Sequence, residues 1–254
     1  MDRRKAAFST VEAIKDLILR NGLRPGDPIP TEAELCATLG VSRSSVREAI
    51  RTLASLDIVE VRHGRGTTVG QLSLSPFIDA LAFRSLMNPD GTCATLLEVV
   101  DLREGIDLAL SDELVALHRG RPDPHLRGLV DTMREQAANG HSFPDTDIAF
   151  HTALLSGSSN RLVQQLVAAL WEVHTVTVPQ LGIPQPDDIH DTAAAHGGML
   201  DALEIGDVSA YRTAVKNHYA PLRRAIERAG TTSNNPASSS DTKAPTVRHT
   251  PTSS

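Results

Sequence analysis

The chain is poor in aromatic residues, cysteine and lysine. Aromatics are only 3% of its 254 residues, with one Trp, two Tyr and five Phe. The core must therefore rest on Leu, Val, Ile and Ala, which suits packed helices better than a β-sandwich. Cys36 and Cys93 stand alone and far apart, which excludes a disulfide framework and a CxxC zinc site. No stretch of about eighteen uncharged apolar residues occurs, so no membrane span is expected. The amino end meets Glu12 and Asp16 before any signal-type apolar region develops, so a soluble, cytoplasmic protein is expected. Lysine numbers 4 against 21 arginines, which points to a GC-rich coding genome more than to chemistry. What remains is globular in balance: 40% hydrophobic and 22% charged, long enough for one large domain or two ordinary ones.

The net charge of −6 conceals a division. Residues 1–72 carry a net +2 and residues 73–254 a net −8. One part can approach a polyanion while the other repels it.

Along the first part, Ser9-x-x-Glu12 is a capping-box pattern, followed by Val11, Ile14, Leu17 and Ile18 at helical spacing. Gly22 and Pro25-Gly26 stop that helix. A second box, Thr31-x-x-Glu34, opens a short helix ending at Gly40. Ser42 then caps a third, with Val46, Ile50 and Leu53 on one face and Arg43, Arg47 and Arg51 on another. Two short β-like runs, 58–62 and 67–69, surround His63-Gly64-Arg65-Gly66 and read as a hairpin. Three helices and a hairpin within about seventy residues form a winged helix-turn-helix pattern.

After residue 72 strand signals vanish. Seven segments, near 74–87, 94–118, 125–138, 146–156, 161–177, 188–205 and 208–229, have helical periodicity and imply an all-α bundle able to enclose a cavity. Residues 231–254 hold 12 Ser/Thr and one branched aliphatic, Val247, and read as a disordered tail. The expected organisation is a mainly α protein: a winged helix-turn-helix over 1–72, a helical bundle over 73–230, and a tail over 231–254.

A helix entering the major groove needs long donors on its exposed face and small hydroxyl residues near its start. Ser42-Arg43-Ser44-Ser45-Val46-Arg47 supplies both. Arg65, between two glycines, sits at a hairpin tip thin enough for a minor groove. The ordered blocks Leu23–Asp27, Pro30–Leu35, Gly40–Ala49, Val59-Glu60-Val61 and Gly64–Thr67 resemble the winged-helix domain of GntR-type bacterial repressors. That resemblance implies DNA contacts by Ser42, Arg43, Ser44, Ser45 and Arg47, with His63, Gly64 and Arg65 as wing contacts. Double-stranded DNA with a palindromic operator is the partner implied.

In the bundle, Asp147 and His151 are an i, i+4 pair on one helical face. His196 lies about ten residues before the Gly206-Asp207 turn and His218 about eleven after it. At a rise of about 1.5 Å per residue, two antiparallel helices bring them to nearly the same height. An Asp and three His can thus converge on one ion. Zinc is the first expectation for such a nitrogen-rich set, with Ni, Cu, Fe and Mn also fitting. The remaining histidines are read as structural, and Phe150 as core.

Leu96-Leu97-Glu98 leading to Asp101-Leu102-Arg103-x-x-Ile106-Asp107, then Asp147-x-x-Phe150-His151, His196 and His218, resembles the FCD ligand domain of FadR-like GntR regulators. The resemblance implies that Asp147, His151, His196 and His218 hold a divalent metal and that Arg103 faces a carboxylate effector. It also implies a homodimer. Asp101 and Asp107 stand where Glu is usual. Gly197-Gly198 costs a helix roughly 2 kcal/mol against Ala, so a kink or mobile segment is expected there. The function expected is a repressor released by a small organic acid. Two other readings compete: a metal-dependent hydrolase or oxygenase using the same four ligands, and a constitutive DNA binder with a structural metal.

Overall fold

A computed structural model describes the backbone of residues 3–62, 64, 66–88, 91, 93–186 and 188–233 and, within these, side chains from 10 to 231. Helices α1 (Arg3–Arg20), α2 (Glu32–Leu39) and α3 (Arg43–Ala54) precede strands β1 (Val59–Arg62) and β2 (Gly66–Val69). The first helix begins at Arg3, so Ser9 lies inside it and does not cap it. Arg3-Arg4-Lys5-Ala6-Ala7 are good helix formers, and they carry the helix upstream of the expected start.

Helix α2 opens on a complete capping box. Glu34 N donates to Thr31 Oγ1 at 3.4 Å, and Thr31 N donates to Glu34 Oε2 at 2.8 Å. It closes at Gly40, left-handed at φ 65°. In α3, Ser42 Oγ accepts from Ser45 N at 3.2 Å. Val46, Ala49, Ile50 and Leu53 then pack with Ile14, Leu35, Val59 and Val69 into one apolar core. The strands pair antiparallel from Val59↔Val69 to Arg62↔Gly66. Residues 26–29 flank β2 on its other side, with Ile29 N donating to Thr67 O and Val69 N to Asp27 O. The arrangement is a winged helix-turn-helix.

Eight helices follow among the described residues: α4 (Ser75–Met87), α5 (Ala94–Ala109), α6 (Ser111–His118), α7 (Pro124–Ala138), α8 (Pro144–Leu155), α9 (Arg161–Gln180), α10 (Ile189–Ile205) and α11 (Val208–Ser233). Sequence periodicity gives seven, because the segment 94–118 divides at Leu110. There the Ser111 hydroxyl donates to Leu108 O at 2.6 Å, competing for a last-turn carbonyl. Helix α11 runs to Ser233, past the expected helix end near 229 and the expected domain boundary at 230, and residues 234–254 of the expected tail lie outside the described residues.

Gly197-Gly198 does not interrupt α10, contrary to the kink expected there. A Cβ on Gly197 would lie 2.2 Å from the Arg134 guanidinium of α7, and one on Gly198 would lie 3.6 Å from Ala214 Cβ of α11. The pair marks where neighbouring helices come close.

The bundle has a large core built around Leu96, Leu114, Met133, Phe150, Leu200 and Tyr211. A smaller cluster joins Ile78 and Ala82 of α4 to Ala169, Leu170 and Val173 of α9. The segment between reader and bundle is tightly tied. Gly70 N donates to Ile58 O, and a Cβ on Gly70 would lie 2.3 Å from Asp57 O. Ser73 N donates to the Asp57 carboxylate at 2.8 Å.

Candidate metal centre and nucleic-acid face

Three helices contribute to a buried polar cluster. Asp147 and His151 come from α8, His196 from α10 and His218 from α11. The structure brings all four together, with one potential ligand atom from each lying within 4.8 Å of the others. All four residues are buried. The i, i+4 spacing aligns the α8 pair, and the tight Gly206 cap (φ 90°) sets α10 and α11 antiparallel at matched height. Phe150 packs edge-on against His151 and His196, with ring centroids 5.6 and 5.0 Å away.

The donor set suits a cation. His196 Nε2 lies 2.8 Å from Asp147 Oδ1, and its Nδ1 lies 2.8 Å from Thr192 O. Both partners are acceptors, whereas a neutral imidazole has a single N–H. If Nδ1–H serves Thr192, the Nε2 lone pair faces a carboxylate, an arrangement that a cation between them relieves. His151 Nε2 stands 3.3 Å from the same Asp147 oxygen without a hydrogen bond, and His218 Nδ1 is also buried without a partner. On the far side of His151, Asp107 Oδ2 lies 3.8 Å from Nδ1 and accepts from Tyr219 OH at 2.7 Å. A carboxylate behind an imidazole is the usual device for orienting a metal ligand.

The electrostatics agree with that accounting. Burial alone pushes the Asp147 carboxyl up, but the imidazoles of His196, His151 and His218 outweigh it and hold it well below the usual carboxylate range. Burial, helped by His196, His151 and Arg103, holds His218 well below the ordinary imidazole value. The cluster thus offers a carboxylate and a neutral imidazole at pH 7.

Beside it opens a cavity of about 370 Å³ lined by Arg103, Asp147, Trp171, His174, His218 and Tyr219 among others. Arg103 of α5 is 2% exposed. Its guanidinium carbon lies 3.6 Å from the Trp171 ring centroid and 5.3 Å from that of Tyr219. NH1 meets His174 Nδ1 at 2.8 Å, while Nε has no partner. His174 is lowered to about 3 by burial and then by Arg103, so it is neutral and accepts from the guanidinium. A buried guanidinium that lines a cavity has the chemistry to pair with an anion.

Sequence reading named Arg103 but missed Asp107, Trp171, His174 and Tyr219. His174 was assigned a structural role, yet it lines the cavity. Its i, i+3 spacing from Trp171 was the one available signal; the rings stack at 5.4 Å.

On the reader, Ser42, Arg43, Ser44 and Arg47 are exposed and Ser45 half-buried at the start of α3. Ser42 Oγ lies 2.8 Å from Ser44 Oγ and 2.9 Å from Ser45 Oγ. Among the described residues no hydrogen bond or ion pair holds Arg43. Arg47 Nε donates to Glu32 Oε2 of α2 at 2.8 Å, a restraint the arginine stripe alone did not reveal. Gly64 is exposed at the hairpin tip with φ 76°. His63 and Arg65 lie outside the described residues.

Comparison with known proteins follows the same division. Residues 8–69 match the family profile described as bacterial regulatory proteins, gntR family, and residues 98–221 match the FCD domain. The transcriptional regulatory protein NedR of Micromonospora viridifaciens is 38% identical over 104 residues, covering 41% of this chain and 75% of that protein. The galactonate operon transcriptional repressor of Escherichia coli (strain K12) is 22% identical over 80% of this chain and 89% of its own. The solved structure of Streptococcus agalactiae GntR superposes with a TM-score of 0.60 at 26% identity, covering 86% of this chain and 99% of that one. The matched families and relatives are transcriptional regulators, not enzymes. No helix among the described residues is long and apolar enough to cross a membrane.

Proposed function

The chain belongs to the GntR family of bacterial regulatory proteins and carries an FCD domain, and on that premise we propose that it is a homodimeric repressor released from its operator by a small carboxylate. The observation carrying the sensory half is the buried Asp147, His151, His196 and His218 cluster opening beside Arg103. These four residues would hold one divalent transition metal: zinc first, with nickel, manganese or iron compatible with the same donors. Such an ion supplies a positive anchor for a carboxylate oxygen.

The chain's own residues do the rest. Trp171 and His174 hold Arg103 from two sides, so the guanidinium loses little freedom when it pairs with an acid. Asp107, held by the Tyr219 hydroxyl, places its carboxylate 3.8 Å behind His151 Nδ1. Helix α9 carries Trp171 and His174 on the cavity side and Ala169, Leu170 and Val173 against α4. Movement of α9 on binding passes to α4, and from α4 to the Ser73–Asp57 clasp under the wing.

Reading of DNA falls to Ser42, Arg43, Ser44, Ser45 and Arg47 in the major groove, with His63, Gly64 and Arg65 at the wing. A reader this small grips one half-site weakly, so two copies on a palindrome provide the affinity, and altered spacing between them lowers it. Fluorescence anisotropy on an operator selected from random DNA tests the proposal. Saturating carboxylate should weaken binding at least tenfold. Identical operator affinity across a carboxylate panel would leave a constitutive DNA binder instead.

A further inference from the structure

Away from Arg103, Asp147, His174 and His218, the cavity wall is built from apolar side chains. Val178 and Pro179 come from the end of α9, Ile183, Pro184 and Pro186 from the loop before α10, and Leu222 from α11. The prolines also remove backbone donors from that wall. Two of its hydroxyls are already committed within the protein. Tyr219 OH donates to Asp107, and Thr175 Oγ1 donates to Trp171 O at 3.0 Å. Among the described residues, the side chains of Ser142, Gln185 and Thr192 and the Trp171 indole N–H remain on that wall as uncharged hydrogen-bonding groups without a partner.

We infer that the acid sensed here is a compact monocarboxylate with an apolar body, aryl or branched alkyl, and neither a polyhydroxylated acid nor a long acyl chain. This rests on the Arg103 end being a carboxylate site. Size follows from the cavity of about 370 Å³. At about 30 Å³ per water-sized group in the liquid, it holds on the order of a dozen heavy atoms. Selectivity follows from desolvation. A hydroxyl placed against the buried Ile183 loses its water and finds no partner, which lowers affinity about tenfold. Four free polar side chains cannot serve every hydroxyl of a six-carbon sugar acid. With roughly one left unpaired, discrimination reaches about tenfold.

The test is isothermal titration of the purified full-length chain with phenylacetate, 4-methylpentanoate, tetradecanoate, D-galactonate and phenylacetamide. Phenylacetate and 4-methylpentanoate should bind at least about tenfold more tightly than D-galactonate, with tetradecanoate weaker than either. D-galactonate or tetradecanoate binding as tightly as phenylacetate, or no binding by any of the five, overturns the inference. Phenylacetamide matching phenylacetate would overturn the carboxylate premise instead, while its advantage over D-galactonate would still support the apolar wall. Val178→Thr, which exchanges a methyl for a hydroxyl at nearly constant volume, should lower phenylacetate affinity several-fold in a variant shown by circular dichroism to be folded. An unchanged phenylacetate to D-galactonate ratio in that variant would also overturn the assignment of the wall.

Discussion

Replacing Arg103 with Met should separate sensing from stability. The guanidinium is 2% exposed, its Nε is unpaired, and among the described residues no carboxylate lies within ion-pair distance. Met retains the apolar stem between Trp171 and Tyr219. The variant forfeits a cation–π contact of about 2 kcal/mol and a charged hydrogen bond to His174 of about 1.5–3 kcal/mol. Against these stands the desolvation cost of a buried charge, several kcal/mol, which disappears with it. The two sides nearly cancel, so urea denaturation should place Arg103→Met within about 2 kcal/mol of the wild type. Carboxylate affinity, by contrast, should fall by 2–5 kcal/mol, about thirty- to several-thousand-fold, because a desolvated anion loses its partner.

A pH signature accompanies this change. Wild-type His174 is held at about 3 by burial and Arg103, so the unfolded chain takes up a proton below pH 6.5 that the folded chain refuses. Stability from this group is complete above pH 6.5 and is lost as pH falls toward 3. Between pH 7.5 and 5.5 it amounts to about 1.4 kcal/mol. Without the neighbouring cation that loss should shrink in Arg103→Met. A variant destabilised by more than about 4 kcal/mol, or one that binds carboxylates as before, would show that Arg103 is there to hold the bundle together.

Other perturbations address the reader and its attachment. Arg43→Ala should weaken operator binding and lower the slope of log affinity against log salt by about one, if it neutralises a phosphate; unchanged binding in a salt titration would remove it from the interface. Glu32→Gln should tighten DNA binding modestly, by about 0.2–1 kcal/mol, since Arg47 no longer has to leave its partner. Looser binding of that variant in an anisotropy titration would mean that Glu32 positions Arg47 productively. Gly70→Ala forces a methyl to within 2.3 Å of Asp57 O and should cost about 1–3 kcal/mol in the winged domain's unfolding, read by circular dichroism; an unperturbed midpoint would contradict the close approach.

Much of the reader was legible because its signals are local. Thr31 and Glu34 cap within one turn, Ser42 caps within one turn, and the arginine face is separated from Val46, Ile50 and Leu53 by helical geometry alone. The meeting of His196 and His218 was legible for a related reason: a short turn between antiparallel helices converts sequence distance into height. What sequence concealed depends on contacts across elements. His174 meets Arg103 only because α9 packs on α5, and Tyr219 reaches Asp107 only because α11 does the same. Glu32 holds Arg47 across the α2–α3 turn. Gly197 and Gly198, read as a weak point in α10, instead lie in an unbroken helix where side chains of α7 and α11 pack against them. The division at Leu110 was hidden because apolar periodicity runs through it unbroken.

The most direct measurement is elemental analysis of the purified chain beside its His196→Ala/His218→Ala variant, with folding of both followed by circular dichroism. The account requires about one transition-metal ion per wild-type chain and none in the folded variant, because the buried Asp147 and His151 alone leave the ion too few ligands. A folded double variant that keeps its full complement of metal, or a wild-type chain that holds none after purification without chelator and dialysis against zinc, would contradict it.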